Sequence, residues 1–144
     1  MTLTLPDLAA TRHLASRVAA LLHPGDAILL SGPLGAGKTE FARALLRAVT
    51  GDPALDVPSP SFTLVQTYDT PSGPIHHYDL WRLEGPAALA ELGWHDARDD
   101  IVLVEWPDRL GSHTPPDALR LTFELADGDA RTVRMEGWPD RLPS

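Results

Sequence analysis

The sequence predicts an α/β fold, a three-layer sandwich around a mixed central sheet, and three observations carry that expectation. Two short runs, Ala27-Ile28-Leu29-Leu30 and Ile101-Val102-Leu103-Val104, are apolar without alternation, the mark of strands buried on both faces. A glycine-rich segment ending in Lys38-Thr39 leaves the first run and opens an amphipathic helix. Pairs of alternating segments joined by turn residues add antiparallel strands.

Taken in order, residues 8–22 place Leu14, Ala15, Val18, Leu21 and Leu22 on one helical face. Asp7 is the expected N-cap and His23-Pro24-Gly25 the stop. After the strand 27–30 and the glycine loop, a helix runs from Lys38 to about Val49. Phe41, Ala42, Leu45, Leu46 and Val49 form its apolar side, and Gly51 closes it. Residues 52–60, rich in proline and aspartate, read as a loop. Phe62–Tyr68 and Ile75–Leu80 read as two strands joined by the turn Asp69–Pro74. Pro86–Leu92 is a short helix ending at Gly93. Leu119–Leu125 and Ala130–Glu136 flank Asp127-Gly128-Asp129 as a final hairpin, and a loose tail carries Pro139 and Pro143.

The 144 residues suit one domain, 1–144, and a chain of this length can bury a core without covalent staples. Cysteine is absent, which removes disulfides and thiolate metal sites. No basic-then-apolar leader opens the chain, and no apolar run approaches the ~20 residues of a membrane span. The cytoplasm is therefore the expected compartment, with no membrane association. The net charge is −8, with one lysine and scattered arginines. Duplex nucleic acids are bound largely by neutralising phosphates, so direct tight binding to DNA or RNA is not expected.

Gly32-Pro33-Leu34-Gly35-Ala36-Gly37-Lys38-Thr39 matches G-x-x-x-x-G-K-(S/T). A loop that wraps phosphate oxygens with its N–H groups needs backbone angles and close approaches that favour glycine. It opens into a helix N-terminus, whose free N–H groups and dipole favour an anion. Lys38 supplies a point charge for the β and γ phosphates, and the Thr39 hydroxyl is placed to ligate Mg²⁺. By composition a chance match is expected on the order of once in a thousand chains of this kind. The expected ligands are ATP and Mg²⁺, on a P-loop NTPase-like sandwich.

Such a site needs a second acid near the metal, commonly at the end of a buried strand. Glu105 ends the apolar run 101–104. Glutamate stands there where aspartate is usual, so it either ligates through water or orients the attacking water. Asp79 is the second candidate, an acid in a strand pattern, and an exposed alternating position explains it equally well. His76 and His77 are neighbours on a strand and face opposite sides, so they cannot readily share one ion; they read as ordinary, partly buried histidines. In the stiff loop Pro58-Ser59-Pro60-Ser61-Phe62-Thr63, Ser61 or Thr63 could approach the γ phosphate or the metal, and a plain connector fits the spacing too. Trp106 reads as a wall of the site, a partner contact or core packing.

The chain contains no asparagine, so the guanine-reading Asn-Lys-x-Asp motif is absent; it is also too short for a transporter ATPase. A small-molecule kinase, with Arg82, Arg98 and Arg109 as lid candidates, remains the alternative. Four segments in order then narrow the choice: the phosphate loop, Ser59-Pro60-Ser61-Phe62-Thr63-Leu64-Val65, His77-Tyr78-Asp79-Leu80-Trp81-Arg82-Leu83, and Val104-Glu105-Trp106-Pro107. Together, from about Leu5 to Pro107, they resemble the TsaE (YjeE) family, the ATPase of bacterial tRNA threonylcarbamoyladenosine biosynthesis; the C-terminal hairpin adds little to the likeness.

The resemblance implies roles. Lys38 and the amides of Gly35, Ala36, Gly37, Lys38, Thr39 and Glu40 hold the phosphates. Thr39 and Glu105 hold Mg²⁺, and Asp79 assists the metal or the water. Ser59–Thr63 act as a switch-like loop, with Ser61 facing the nucleotide. Thr11 stands near the adenine, and Trp106 beside the metal carboxylate. The implied catalytic set is Lys38, Asp79 and Glu105. The implied partners are TsaD and TsaB, with tRNA contacted only through them, and an ATPase weak alone and stimulated by that complex. Two positions depart from the family pattern: Ser61 replaces a threonine, and Trp81 a tyrosine.

Overall fold

The computed structural model describes residues 1–138 and 141. The expected loose tail at Pro139 and Pro143 lies outside the described residues. Seven strands form one sheet: β1 (Thr2–Leu5), β2 (Ala27–Ser31), β3 (Val65–Tyr68), β4 (Ile75–Asp79), β5 (Ile101–Glu105), β6 (Leu119–Leu125) and β7 (Arg131–Glu136). Their order in space is β1-β7-β6-β2-β5-β4-β3. The central four, β6-β2-β5-β4, pair in parallel, and β7, β1 and β3 add antiparallel edges. The mixed sheet is as expected.

Helices α1 (Leu8–Ala19) and α2 (Lys38–Thr50) cover one face. Their apolar stripes meet Ile28, Leu30, Ile75, Ile101 and Leu103 of the central strands, and Leu121, Phe123 and Val133 of the hairpin. Phe41 of α2 packs on Phe123 at 5.7 Å between ring centroids. Burying each such ring stabilises the fold by roughly 1.5–3 kcal/mol. The other face of β2, β4 and β5 is covered by two 3₁₀ segments, Pro86–Leu92 and Pro107–His113, and by the short helix α3 (Trp94–Ala97). Strands β2 and β5 are therefore apolar on both sides, which explains their unbroken apolar runs.

Asp7 caps α1 by accepting from the Ala10 amide at 2.9 Å. Gly51, at φ 70°, closes α2 as its sequence position implies. Four features depart from expectation. Helix α1 ends at Ala19 and not at Leu22, because the Leu21 and Leu22 amides turn back to the Val18 and Ala19 carbonyls. Strand β1 was not anticipated; it is an edge strand whose partner, β7, lies at the far end of the chain. Strand β3 begins at Val65, not Phe62, because Leu64 is left-handed at φ 68° and its amide turns back to the Pro60 carbonyl at 2.7 Å. Phe62 is 82% exposed in consequence. The second 3₁₀ segment and α3 were also not anticipated.

Candidate functional site

Strand β2 ends at Ser31 and delivers the chain into the glycine loop at the C-terminal edge of the parallel strands. Ligands of open α/β sheets bind at this edge. Gly32, at φ 136°, lies so close to the Phe123 carbonyl that an added Cβ would collide with it. Gly37, at φ 109°, is the N-cap of α2 and provides no side-chain cap. The first-turn amides of α2 thus lack the side-chain partner that Asp7 gives α1, and an anion can take its place.

A cavity of about 670 Å³ opens over this helix end, within the range of small-ligand sites. Gly35, Gly37, Lys38, Thr39 and Glu40 line it from the loop and α2, and Thr11 with Leu8 from α1. Asp79, Glu105 and Trp106 close it from β4 and β5, and Ser59 and Ser61 from the connecting loop. The candidates from the sequence therefore converge, with exceptions. Ala36 is wholly buried in the core and does not line the cavity. Thr63 is exposed and is bonded to Gln66. Among the alternatives for the loop, Ser61 reaches the site and Thr63 does not. Arg82 lies over the Phe62 ring, Arg98 donates to the Gly25 carbonyl at the opposite end of β2, and neither these nor Arg109 line the cavity.

Register explains how the acids meet. Asp79 pairs with Glu105 across β4 and β5, and Glu105 with Leu30 across β5 and β2. Both acids are buried, with 6% and 2% exposure, so Asp79 is not an exposed alternating residue. The Thr39 hydroxyl donates to Glu105 Oε1 at 2.9 Å. Asp79 Oδ1 accepts from the Trp81 amide at 3.1 Å, and Ser61 donates to Oδ2 at 3.4 Å.

Lys38 is buried and donates to the Gly32 carbonyl. Its ammonium also sits 3.4 Å from the centroid of the Trp106 ring, a cation–π contact. Burial pushes the Lys38 ammonium below the usual lysine range, and Glu105, Asp79 and Asp108 counter that shift. Trp106 is held in the left-handed region at φ 60° and packs on Trp81 at 4.5 Å. It is a wall of the cavity and also packs, half-buried, against the core on the far face of the sheet.

The donor set suits a hard cation. Thr39, Glu105 and Asp79 offer oxygen alone to the cavity, and two buried carboxylates face one ammonium. Among the described residues no three His, Cys, Asp or Glu side chains form a metal cluster. Mg²⁺ does not require one, because it takes one or two carboxylates together with waters and substrate phosphates.

Two contributions were missed. His77 is not an ordinary, partly buried histidine: it is fully buried, and its Nε2 lies 2.7 Å from Glu105 Oε2. His76 is the half-buried one, held by Thr67 and Asp100. The C-terminal hairpin also lines the cavity, through Asp129 and Arg131. Strand alternation already placed His77 on the same face as Asp79; nothing local in the sequence linked Arg131 to the loop.

With that geometry in hand, the comparisons with known proteins are specific. The family model for threonylcarbamoyl adenosine biosynthesis protein TsaE matches residues 5–133, so the likeness extends through the hairpin instead of stopping near Pro107. The tRNA threonylcarbamoyladenosine biosynthesis protein TsaE of Rickettsia felis is 38% identical over 122 residues, 84% of this chain and 71% of the relative. That of Aquifex aeolicus is 37% identical over 125 residues, 87% of each chain. A crystal structure of Bacillus subtilis YdiB superposes with a TM-score of 0.75 at 25% identity, covering 98% of this chain and 87% of that one. The chain belongs to the TsaE family and takes part in tRNA threonylcarbamoyladenosine biosynthesis.

Proposed function

We propose that the chain binds ATP with Mg²⁺, hydrolyses it slowly alone, and acts on the TsaB–TsaD complex, which stimulates turnover. One observation carries the reading: Lys38, Thr39 and Glu105 meet at the uncapped start of α2, with Asp79 beside them.

The amides of the loop and first helical turn bind the phosphates. Lys38 exchanges the Gly32 carbonyl and the Trp106 ring for β and γ oxygens, and its charge stabilises the transferring group. Thr39 and Glu105 would hold Mg²⁺, which would supply neutralisation of phosphate charge, and Asp79 and Ser61 orient water on the γ side. Trp106 and the Ser59–Thr63 loop exclude bulk water. Thr11 and Leu8 line the cavity from α1, and on this reading the adenine base lies against them.

A net charge of −8 favours a protein partner over tRNA as the direct contact. No described helix is long and apolar enough to cross a membrane, and the reading puts the work in the cytoplasm, where tRNA is modified. None of the lid candidates Arg82, Arg98 and Arg109 lines the cavity, so a metabolite kinase has no specific support.

The test is phosphate release from ATP and Mg²⁺ by the purified chain, with and without a reconstituted TsaB–TsaD complex. Wild type turns over slowly alone and faster with the complex. Glu105→Ala binds ATP and loses most turnover in both conditions. Full stimulated turnover in that variant, or turnover that awaits an added metabolite, would refute the reading.

A further inference from the structure

None of the steps above uses His77, yet among the described residues it is the one histidine buried outright. On β4 the residues Ile75, His77 and Asp79 alternate onto the face that α2 covers. Ile75 is core and Asp79 reaches the cavity. His77 stands between them and does not line the cavity, so it cannot touch a substrate.

Its two nitrogens are treated unequally. Nε2 lies 2.7 Å from Glu105 Oε2, and Nδ1 is buried with no partner among the described residues. With Nε2–H donating to the carboxylate it faces, the buried Nδ1 is left to pair with nothing among the described residues. A leucine or methionine would fill the slot without stranding a polar atom. Core packing therefore does not account for the imidazole; the contact with Glu105 does. The carboxylate is divided between two holders, Oε1 to the Thr39 hydroxyl at 2.9 Å and Oε2 to His77.

We propose that His77 is a positioning residue, whose Nε2–H pins Oε2 of Glu105 so that Oε1 is aimed at the Thr39 hydroxyl and the cation position between them. The proposal rests on the reading of Thr39 and Glu105 as metal ligands. Outer partners of ligating side chains fix their orientation, and losing one typically weakens metal binding roughly 10- to 100-fold.

The experiment is calorimetric titration of the full chain with ATP, in excess EDTA and in excess MgCl₂. It compares wild type with His77→Leu, His77→Gln and His77→Asn, each first checked for a cooperative melt. In EDTA all folded variants match wild type within about twofold, because the phosphates are held elsewhere. In magnesium, His77→Leu and His77→Asn lose roughly tenfold or more of the metal-dependent tightening. His77→Gln, whose amide nitrogen can occupy the Nε2 position, keeps most of it. If leucine does not fold, the contrast between glutamine and asparagine decides.

A leucine or asparagine variant with the full magnesium effect would overturn the positioning role and leave the metal reading intact. A glutamine variant as impaired as asparagine would also overturn it, because shape and not the N–H would then matter. Wild type with no magnesium effect would overturn the metal reading and this inference together.

Discussion

A methyl group is the smallest side chain the phosphate loop could be given, and at Gly32 it has no room. The backbone there sits at φ 136°, and an added Cβ would run into the Phe123 carbonyl oxygen. Relief requires the loop or β6 to move, and that moves the carbonyl to which Lys38 donates. Gly35, at φ 78°, faces open space, so alanine there meets only left-handed strain of about 1 kcal/mol. Gly32→Ala is expected to abolish measurable ATP binding and Gly35→Ala to weaken it modestly, both by calorimetry on variants with native circular dichroism. Equal losses would show that conformation, not collision, sets the loop. The same contrast explains what could be read from the sequence. Lys38, Thr39 and Glu105 were legible because motif and strand end place them by local rules. His77 was not, because alternation states which face a residue occupies and is silent on what stands opposite. Arg131 was not, because only the pairing of β6 with β2 brings the hairpin to the loop.

The elements on the far face hold β4 and β5 in the register that brings Asp79 level with Glu105. Tyr78, between His77 and Asp79, turns to that face, donates to the Leu92 carbonyl at 2.9 Å and packs edge-on against Trp94 at 5.3 Å. Burial pushes its phenol up to about 12 from 10.0. The sign follows from linkage: the unfolded phenol loses its proton first, near pH 10, while the folded one keeps it. Stability from this group is intact below pH 10 and is lost as pH rises toward 12, by roughly 2–3 kcal/mol. Tyr78→Phe is expected to cost about 1 kcal/mol at neutral pH, since it strands the Leu92 carbonyl. It should also flatten the decline between pH 10 and 12, measured by urea unfolding across that range. An equal decline in the variant would assign it to other groups. Most elements were legible for the reason that makes this layer work: β2 and β5 are apolar on both sides because helices lie over both. The elements that were missed share a cause. Strand β1 exists only through β7, and β3 is shortened by a left-handed turn at Leu64. The segment Pro107–His113 follows the left-handed Trp106, whose conformation no propensity for tryptophan would suggest.

At the scale of the molecule, the phosphate loop, α2, β4, β5 and the hairpin all contribute to one cavity, so a ligand there bears on the whole fold. On the proposed function, ATP with Mg²⁺ binds the folded chain and has no site in the unfolded one. At a free concentration near 100 Kd the linkage is worth about 2.7 kcal/mol. For a chain of this length the unfolding entropy makes that a rise in melting temperature of roughly 9 °C. Lys38→Ala removes the ammonium and leaves Glu105 and Asp79 facing each other without it. Its melting temperature is expected not to move with ATP, with or without Mg²⁺. Wild type in EDTA should show a smaller rise than in magnesium, because phosphate binding survives and the link through Thr39 and Glu105 does not. Scanning calorimetry of the two proteins under the three conditions reads all of this at once. A wild-type rise equal in EDTA and magnesium would remove the metal and keep the phosphate cradle. A rise in Lys38→Ala equal to that of wild type would place the nucleotide elsewhere on the molecule.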